Sequence, residues 1–132
     1  MSLVLDTHAV IWYFLGSNQL SVAGLEAIRR SVRGGQRLYI SAISIVEMIY
    51  LIERGRIPRE ALTRLDVASK NPDSGVIVVP LDAAIAEAVE KIPRDIVPDM
   101  PDRIIAATAV HLDVPCVTRD SQIRLAGLKS IW

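Results

Sequence analysis

The stretch Asp-Met-Pro-Asp-Arg-Ile-Ile-Ala-Ala-Thr-Ala-Val-His-Leu-Asp-Val-Pro-Cys-Val-Thr-Arg-Asp, residues 99–120, decides the fold. A helix opens near Pro101, because proline is tolerated in a first turn, and runs to about Leu112. Asp99 and Asp102 are spaced like an N-cap and an N3 residue. Residues 114–118 then read as a short apolar strand, and Asp120 follows it. A helix that feeds directly into an apolar strand is half of an α/β unit.

The same alternation continues outward. Residues 2–5 begin a strand, and residues 8–15 form a helix that ends at Gly16. Ser21 caps a helix to about Val32, stopped by Gly34 and Gly35. A strand at 38–40 leads into a long apolar helix at about 43–54. Pro58 suits the first turn of a helix reaching about Ser69, and 71–75 is a turn cluster. A strand at 76–79 precedes a helix from Asp82 to about Lys91, and 92–98 is a loop. After Asp120 come a short helix at 121–126 and a last strand at 128–131. Strands separated by helices imply crossover connections and a mostly parallel sheet. The apolar strands are expected to be covered on both faces, giving three α/β/α layers.

The 132 residues suit a single domain spanning 1–132. A hydrophobic content of 51% and a mean hydropathy of +0.33 exclude disorder. They also suggest that a partner covers some apolar surface, with Trp12, Tyr13, Phe14 and the run at 48–52 as candidates and the core as their alternative place. The lone cysteine, Cys116, excludes an intramolecular disulfide and a multi-cysteine zinc site, and reads as a strand core residue. No apolar run nears the roughly 18 residues of a membrane span, and no secretory leader is visible, so the expectation is a cytoplasmic protein. The formal net charge of zero removes the simplest argument for nucleic-acid binding, though a local basic rim serves as well. Twelve of the 15 basic residues are Arg, which suits phosphate, and a compositional bias toward Arg explains them equally.

In open parallel sheets the chemistry sits at the carboxyl ends of the strands. Asp6 follows the first strand, Asp120 the fourth, Glu47 lies one turn into the helix after the second, and Asp102 opens the helix feeding the fourth. Each has an ordinary alternative. Asp6, Asp99 and Asp120 are typical helix caps, and Ser44 with Glu47 is spaced as a capping box, with Ser41 as the competing cap. Glu47 is harder to dismiss, because its helix is apolar nearly all round and is expected to be largely buried. Asp102 shares a stripe with Ile105, Ala106 and Ala109, the face that packs on the sheet. Four carboxylates at one sheet end repel one another, and a hard divalent cation such as Mg²⁺ or Mn²⁺ resolves that repulsion.

These residues resemble a known family. Leu-Asp-Thr-His at 5–8, Ser-Ile-Val-Glu at 44–47, residues 99–109 and Val-Thr-Arg-Asp at 117–120 match, in order, the motifs of the PIN-domain ribonucleases, and among them the VapC toxins of toxin–antitoxin pairs. The resemblance implies a Rossmann-like fold and a Mg²⁺- or Mn²⁺-dependent endoribonuclease. By position it makes Asp6, Glu47, Asp102 and Asp120 the catalytic and metal-binding quartet, Asp99 an extra metal acid and Thr118 a supporting hydroxyl. A metal-activated water attacks phosphorus in line and leaves a 5′-phosphate and a 3′-hydroxyl. Arg103, Arg119 and Arg124 flank the acids and are candidates for the substrate backbone, surface ion pairs being their alternative. His8 reads as a packing or hydrogen-bonding residue, with a general base as its alternative, and His111 has no role. The implied partners are RNA, a VapB-type antitoxin and a second copy of the chain, and the implied effect is inhibition of translation. The competing readings are a non-toxin PIN nuclease of RNA processing, a nuclease of DNA, a receiver-like phosphorelay domain and a non-catalytic RNA-binding module.

Overall fold

The computed structural model describes residues 1–132. Five strands, β1 (Leu3–Leu5), β2 (Leu38–Ser41), β3 (Val76–Val79), β4 (Cys116–Val117) and β5 (Ser130–Ile131), form one sheet in the order β3-β2-β1-β4-β5. Every pairing is parallel, and Leu5 lies between Ile40 and Val117. The helices are α1 (Thr7–Leu15), α2 (Val22–Arg33), α3 (Ala42–Glu53), α4 (Glu60–Lys70), α5 (Ala83–Ala88), α6 (Met100–Leu112) and α7 (Ser121–Leu125). Single 3₁₀ turns lie at Pro72–Ser74 and Val89–Lys91. No helix is long and apolar enough to cross a membrane.

The period of two along each strand divides the core into two sides. Leu3, Leu5, Leu38, Ile40 and Val117 pack with Val10 and Ile11 of α1, Ile28 of α2 and Leu65 of α4. Val4 and Cys116 pack the other way, against Ile105 and Ala109 of α6 and Ile123 of α7. The small Ala106 and Ala107 admit Ile85 and Ala88 of α5 close to α6.

The helix signals hold where a local group decides them. Gly16 adopts φ 64° and ends α1, while Ser21 and Asp82 cap α2 and α5 by accepting from the N–H groups of Gly24 and Ile85. Other expectations are corrected. Strand β4 is only two residues long, since the Val114 N–H bonds back to Ala109 at the end of α6 and Pro115 has none to give. Pro58 precedes α4, its carbonyl accepting from Ala61, and α5 tightens into a 3₁₀ turn after Ala88. Strand β3 is an edge strand and Ile77 is exposed, so its apolar run does not mean two covered faces. Helix α3 is not buried all round: only Ser44 and Met48 are, whereas Val46, Ile49 and Tyr50 are 46%, 39% and 57% exposed.

The strand order also disposes of the receiver-like reading. Receiver and flavodoxin-like sheets run 2-1-3-4-5. Here the order reverses between β1 and β4, and the crevice opens at the carboxyl ends of those two strands. A receiver-like site also needs a second acid after another strand; Asp82, which follows β3, caps α5 and does not share a cavity with Asp6.

Candidate active site

At that crevice lies a cavity of about 430 Å³ lined by Asp6, Thr7, His8, Trp12, Glu47, Asp99, Asp102, Arg119 and Asp120. All five acids singled out from the sequence line it. They arrive from different elements: Asp6 from the end of β1, Glu47 from α3, Asp99 and Asp102 from the start of α6, and Asp120 from the loop after β4.

Three of them do cap helices, each through one oxygen. Asp6 Oδ1 accepts from the Ala9 N–H at 2.8 Å, Asp99 Oδ2 from the Asp102 N–H at 3.1 Å and Asp120 Oδ1 from the Gln122 N–H at 2.9 Å. A carboxylate has two oxygens, so capping and facing the cavity coexist. The buried Thr118 hydroxyl accepts from the Asp120 N–H at 3.0 Å and lies beside Asp6, favouring its ionised form.

Glu47 is held differently. Ser41, not Ser44, caps α3, and no Ser44–Glu47 box forms. Thr7 Oγ1 donates to Glu47 Oε1 at 2.5 Å and lies 2.9 Å from Ser44 Oγ. A hydroxyl has one proton, so with Thr7 donating to the carboxylate, Ser44 donates to Thr7. This Ser44–Thr7–Glu47 chain ties α3 to the first residue of α1. Sequence spacing placed Ser44 in a capping box; its meeting with Thr7 depends on the β1–β2 pairing, which no local pattern records.

The acids are electrostatically uncomfortable. Burial pushes the Asp6 carboxyl up, against hydrogen bonds from Thr118 and Ala9 that pull it down. Burial likewise raises Glu47, opposed by Thr7. Asp102, whose carboxylate accepts no hydrogen bond, is pushed from 3.8 up to about 7, first by burial and then by the negative charges of Asp99, Glu47, Asp120 and Asp6. As the side chains stand, no three Asp, Glu, His or Cys groups are close enough to ligate one ion directly.

The arginines divide. Arg119 lines the cavity, its guanidinium 5.3 Å from the centroid of the Trp12 ring. Arg103 is corrected: its Nη2 donates to the carbonyls of Val89 and Ile92 at 3.0 and 2.8 Å, its Nε is buried without a partner, and it faces away from the cavity lining. Arg124 donates to Ser130 Oγ at 3.2 Å and lies outside the lining as well. His8 is exposed on the cavity wall with its ring 5.3 Å from that of Trp12. Cys116 is fully buried in β4, and burial pushes its thiol well up.

Comparison with known proteins agrees with this architecture. The family profile described as the PIN domain matches residues 3–128. Ribonuclease VapC22 of Mycobacterium tuberculosis is 28% identical over 123 residues, 93% of this chain and 90% of that protein. VapBC2 from Rickettsia felis, solved bound to a DNA fragment from its promoter, superimposes with a TM-score of 0.72 at 14% identity, over 98% of this chain and 97% of that one. A toxin–antitoxin complex from Klebsiella pneumoniae gives 0.59 at 23% identity, over 90% and 87%.

Proposed function

The chain belongs to the PIN domain family, and from that premise we propose that it is a divalent-metal-dependent endoribonuclease, the toxin of a VapC-like toxin–antitoxin pair. The observation that carries the reading is the convergence of five carboxylates on one cavity at the β1/β4 crevice. The donor set is all oxygen, which suits Mg²⁺ or Mn²⁺. The spread of the acids around the cavity suits an ion that keeps several of its waters.

Asp6, Asp102 and Asp120 would hold the cation, with Asp99 as cap and auxiliary acid. When bound, a divalent cation supplies a more acidic water and offsets charge building on the phosphoryl oxygens. Glu47, fixed through Oε1 by Thr7, turns its other oxygen to the attacking water and takes its proton. Thr118 favours the ionised form of Asp6 against its burial, and a bound cation would favour the ionised form of Asp102. The water oxygen bonds to phosphorus as the bond to the 3′ oxygen breaks, and the departing 3′ oxygen takes a proton from solvent, leaving a 5′-phosphate and a 3′-hydroxyl; the RNA 2′-hydroxyl takes no part.

Ribonuclease VapC22 is named for RNA cleavage and the Klebsiella complex for its antitoxin; both properties are carried here as part of the proposal. The exposed Val46, Ile49 and Tyr50 of α3 supply an apolar face for a second copy of the chain.

The test is Mg²⁺-dependent cleavage of total RNA by the purified chain beside Asp6→Asn. The expected result is loss of specific RNA bands with the wild type only, abolished by EDTA, with 5′-phosphorylated products. Products ending in a 2′,3′-cyclic phosphate, or equal activity in both proteins, refute it.

A further inference from the structure

Arg119 is the only arginine or lysine lining the acidic cavity, yet it pairs with none of the carboxylates there. The ion pairs of the molecule lie on exposed helix surfaces, joining Glu26 to Arg30 and Arg33, Glu60 to Arg64 and Asp66 to Lys70. The Arg119 guanidinium lies instead over the Trp12 ring. That ring is fixed from other directions, with His8 at 5.3 Å and Trp132 at 5.7 Å between centroids. Trp12 itself is buried, while Arg119 and His8 are exposed. The indole is therefore a rigid base carrying two solvent-facing groups at the lip of the cavity. Cation–π attraction holds the guanidinium off the neighbouring acids and leaves its N–H fork free of protein acceptors.

We infer that Arg119 and His8, carried on Trp12, form a nucleotide clamp for an unpaired nucleotide beside the scissile phosphate: the guanidinium grips the flanking phosphate and the His8 ring stacks the base. The inference rests on the ribonuclease reading and names the residues that receive the nucleotide flanking the cut. A polyanion approaching five acids needs a fixed positive charge at the entry, and Arg119 is the one available in the lining. A planar fork suits phosphate better than a point charge does. Stacking on an exposed ring requires a base whose face is free, which a duplex does not offer. Trp12 touches no nucleotide and acts as a positioning residue.

Both tryptophans of the chain, Trp12 and Trp132, belong to this stack, so intrinsic fluorescence reads the clamp directly. The experiment titrates a single-stranded RNA hexanucleotide into the full chain in Ca²⁺, over a salt series, with the RNA checked for integrity afterwards. Wild type is compared with Arg119→Ala, Arg119→Lys, His8→Ala and Trp12→Phe. RNA is expected to quench the wild-type emission. Arg119→Ala weakens binding at least tenfold and reduces the slope of log affinity against log salt by about 0.7, the loss of one phosphate contact. Arg119→Lys recovers the slope without the affinity. His8→Ala weakens binding with the slope unchanged, and Trp12→Phe falls between wild type and Arg119→Ala. The same hexanucleotide in a duplex binds at least tenfold more weakly. If Trp12→Phe does not fold, the exposed Arg119 and His8 variants carry the test. An unchanged slope in Arg119→Ala, equal affinity for the duplex, or no binding by the wild type overturns the clamp. The two readings fail separately. RNA cleavage that Arg119→Ala leaves untouched removes the clamp alone; Arg119-dependent binding without cleavage in Mg²⁺ removes the nuclease alone.

Discussion

Replacing Asp102 by asparagine should stabilise the metal-free protein. Carrying this carboxyl from 3.8 to about 7 corresponds to ~4 kcal/mol against the ionised form, at about 1.4 kcal/mol per tenfold. Solvent at the half-buried side chain screens that to ~1–2 kcal/mol. The sign follows from proton linkage. The folded state holds the proton more tightly than the unfolded chain, so this group favours folding fully below pH 3.8, and the contribution is lost as pH rises to about 7. Above that, the wild type carries a penalty that the neutral amide of the Asp102→Asn variant lacks. For 132 residues, 1 kcal/mol moves Tm by about 4 °C. In EDTA at pH 8, the variant is expected to melt about 4–8 °C above the wild type by calorimetry or circular dichroism. At pH 5 the folded carboxyl is protonated but the unfolded one is already largely ionised, so over a third of the penalty remains and the difference should shrink to about 2–3 °C. Adding Mg²⁺ at pH 8 should reverse the order, because only the wild type keeps the full donor set. A gain of the same size at pH 5 and pH 8, or a loss at pH 8 in EDTA, would refute the assignment of the strain to this carboxylate.

Mg²⁺ affinity by calorimetric titration should weaken about tenfold for each pH unit below about 7, since the cation competes with the proton on Asp102. Thr7→Val should cut RNA cleavage at least tenfold and lower stability by ~1–2 kcal/mol, since it releases Glu47 and strands the buried Ser44 hydroxyl; urea melts and rate assays read the two effects. Asp99→Asn keeps the α6 cap and should leave Tm at pH 8 level or higher, whereas Asp99→Ala should cost ~1 kcal/mol. Arg103→Met should destabilise by ~1–3 kcal/mol by orphaning the Val89 and Ile92 carbonyls, while the salt dependence of RNA binding stays as in wild type. Ile49→Glu should turn a dimer into a folded monomer in light scattering; a wild type already monomeric refutes that use of α3.

The acids were readable because each sits at a place where a sequence signal and a fold rule meet. Asp6, Asp99 and Asp120 begin helices, and the alternation of strands and helices brings those beginnings to one sheet edge. Glu47 joins them because it lies one turn into the helix after β2, near the same sheet end, and the resemblance names the same quartet. What escaped was set by packing between distant segments. Helix α3 looks fully buried by composition, but only Ser44 and Met48 are, while Val46, Ile49 and Tyr50 stay exposed. Arg103 sits beside Asp102 in sequence, yet about 100° further around a helix means a different neighbour, and its guanidinium closes the turn after α5. Trp12 reads as core or covered surface, and it is core; nothing in its own segment announces that Arg119 will settle on it.

The fully parallel sheet has a consequence for synthesis. Strand β1 pairs with β4 across 112 positions, Val4 against Cys116. No hairpin brings Asp6 near Asp120; only this late insertion does. Asp6 leaves the ribosome 114 residues before Asp120, an interval of about 6–23 s at roughly 5–20 residues per second. Through that time the growing chain displays the first acids on an incomplete sheet, without the crevice they are to share. The cleft is therefore assembled only after Asp120 has emerged, however early its first acid was made.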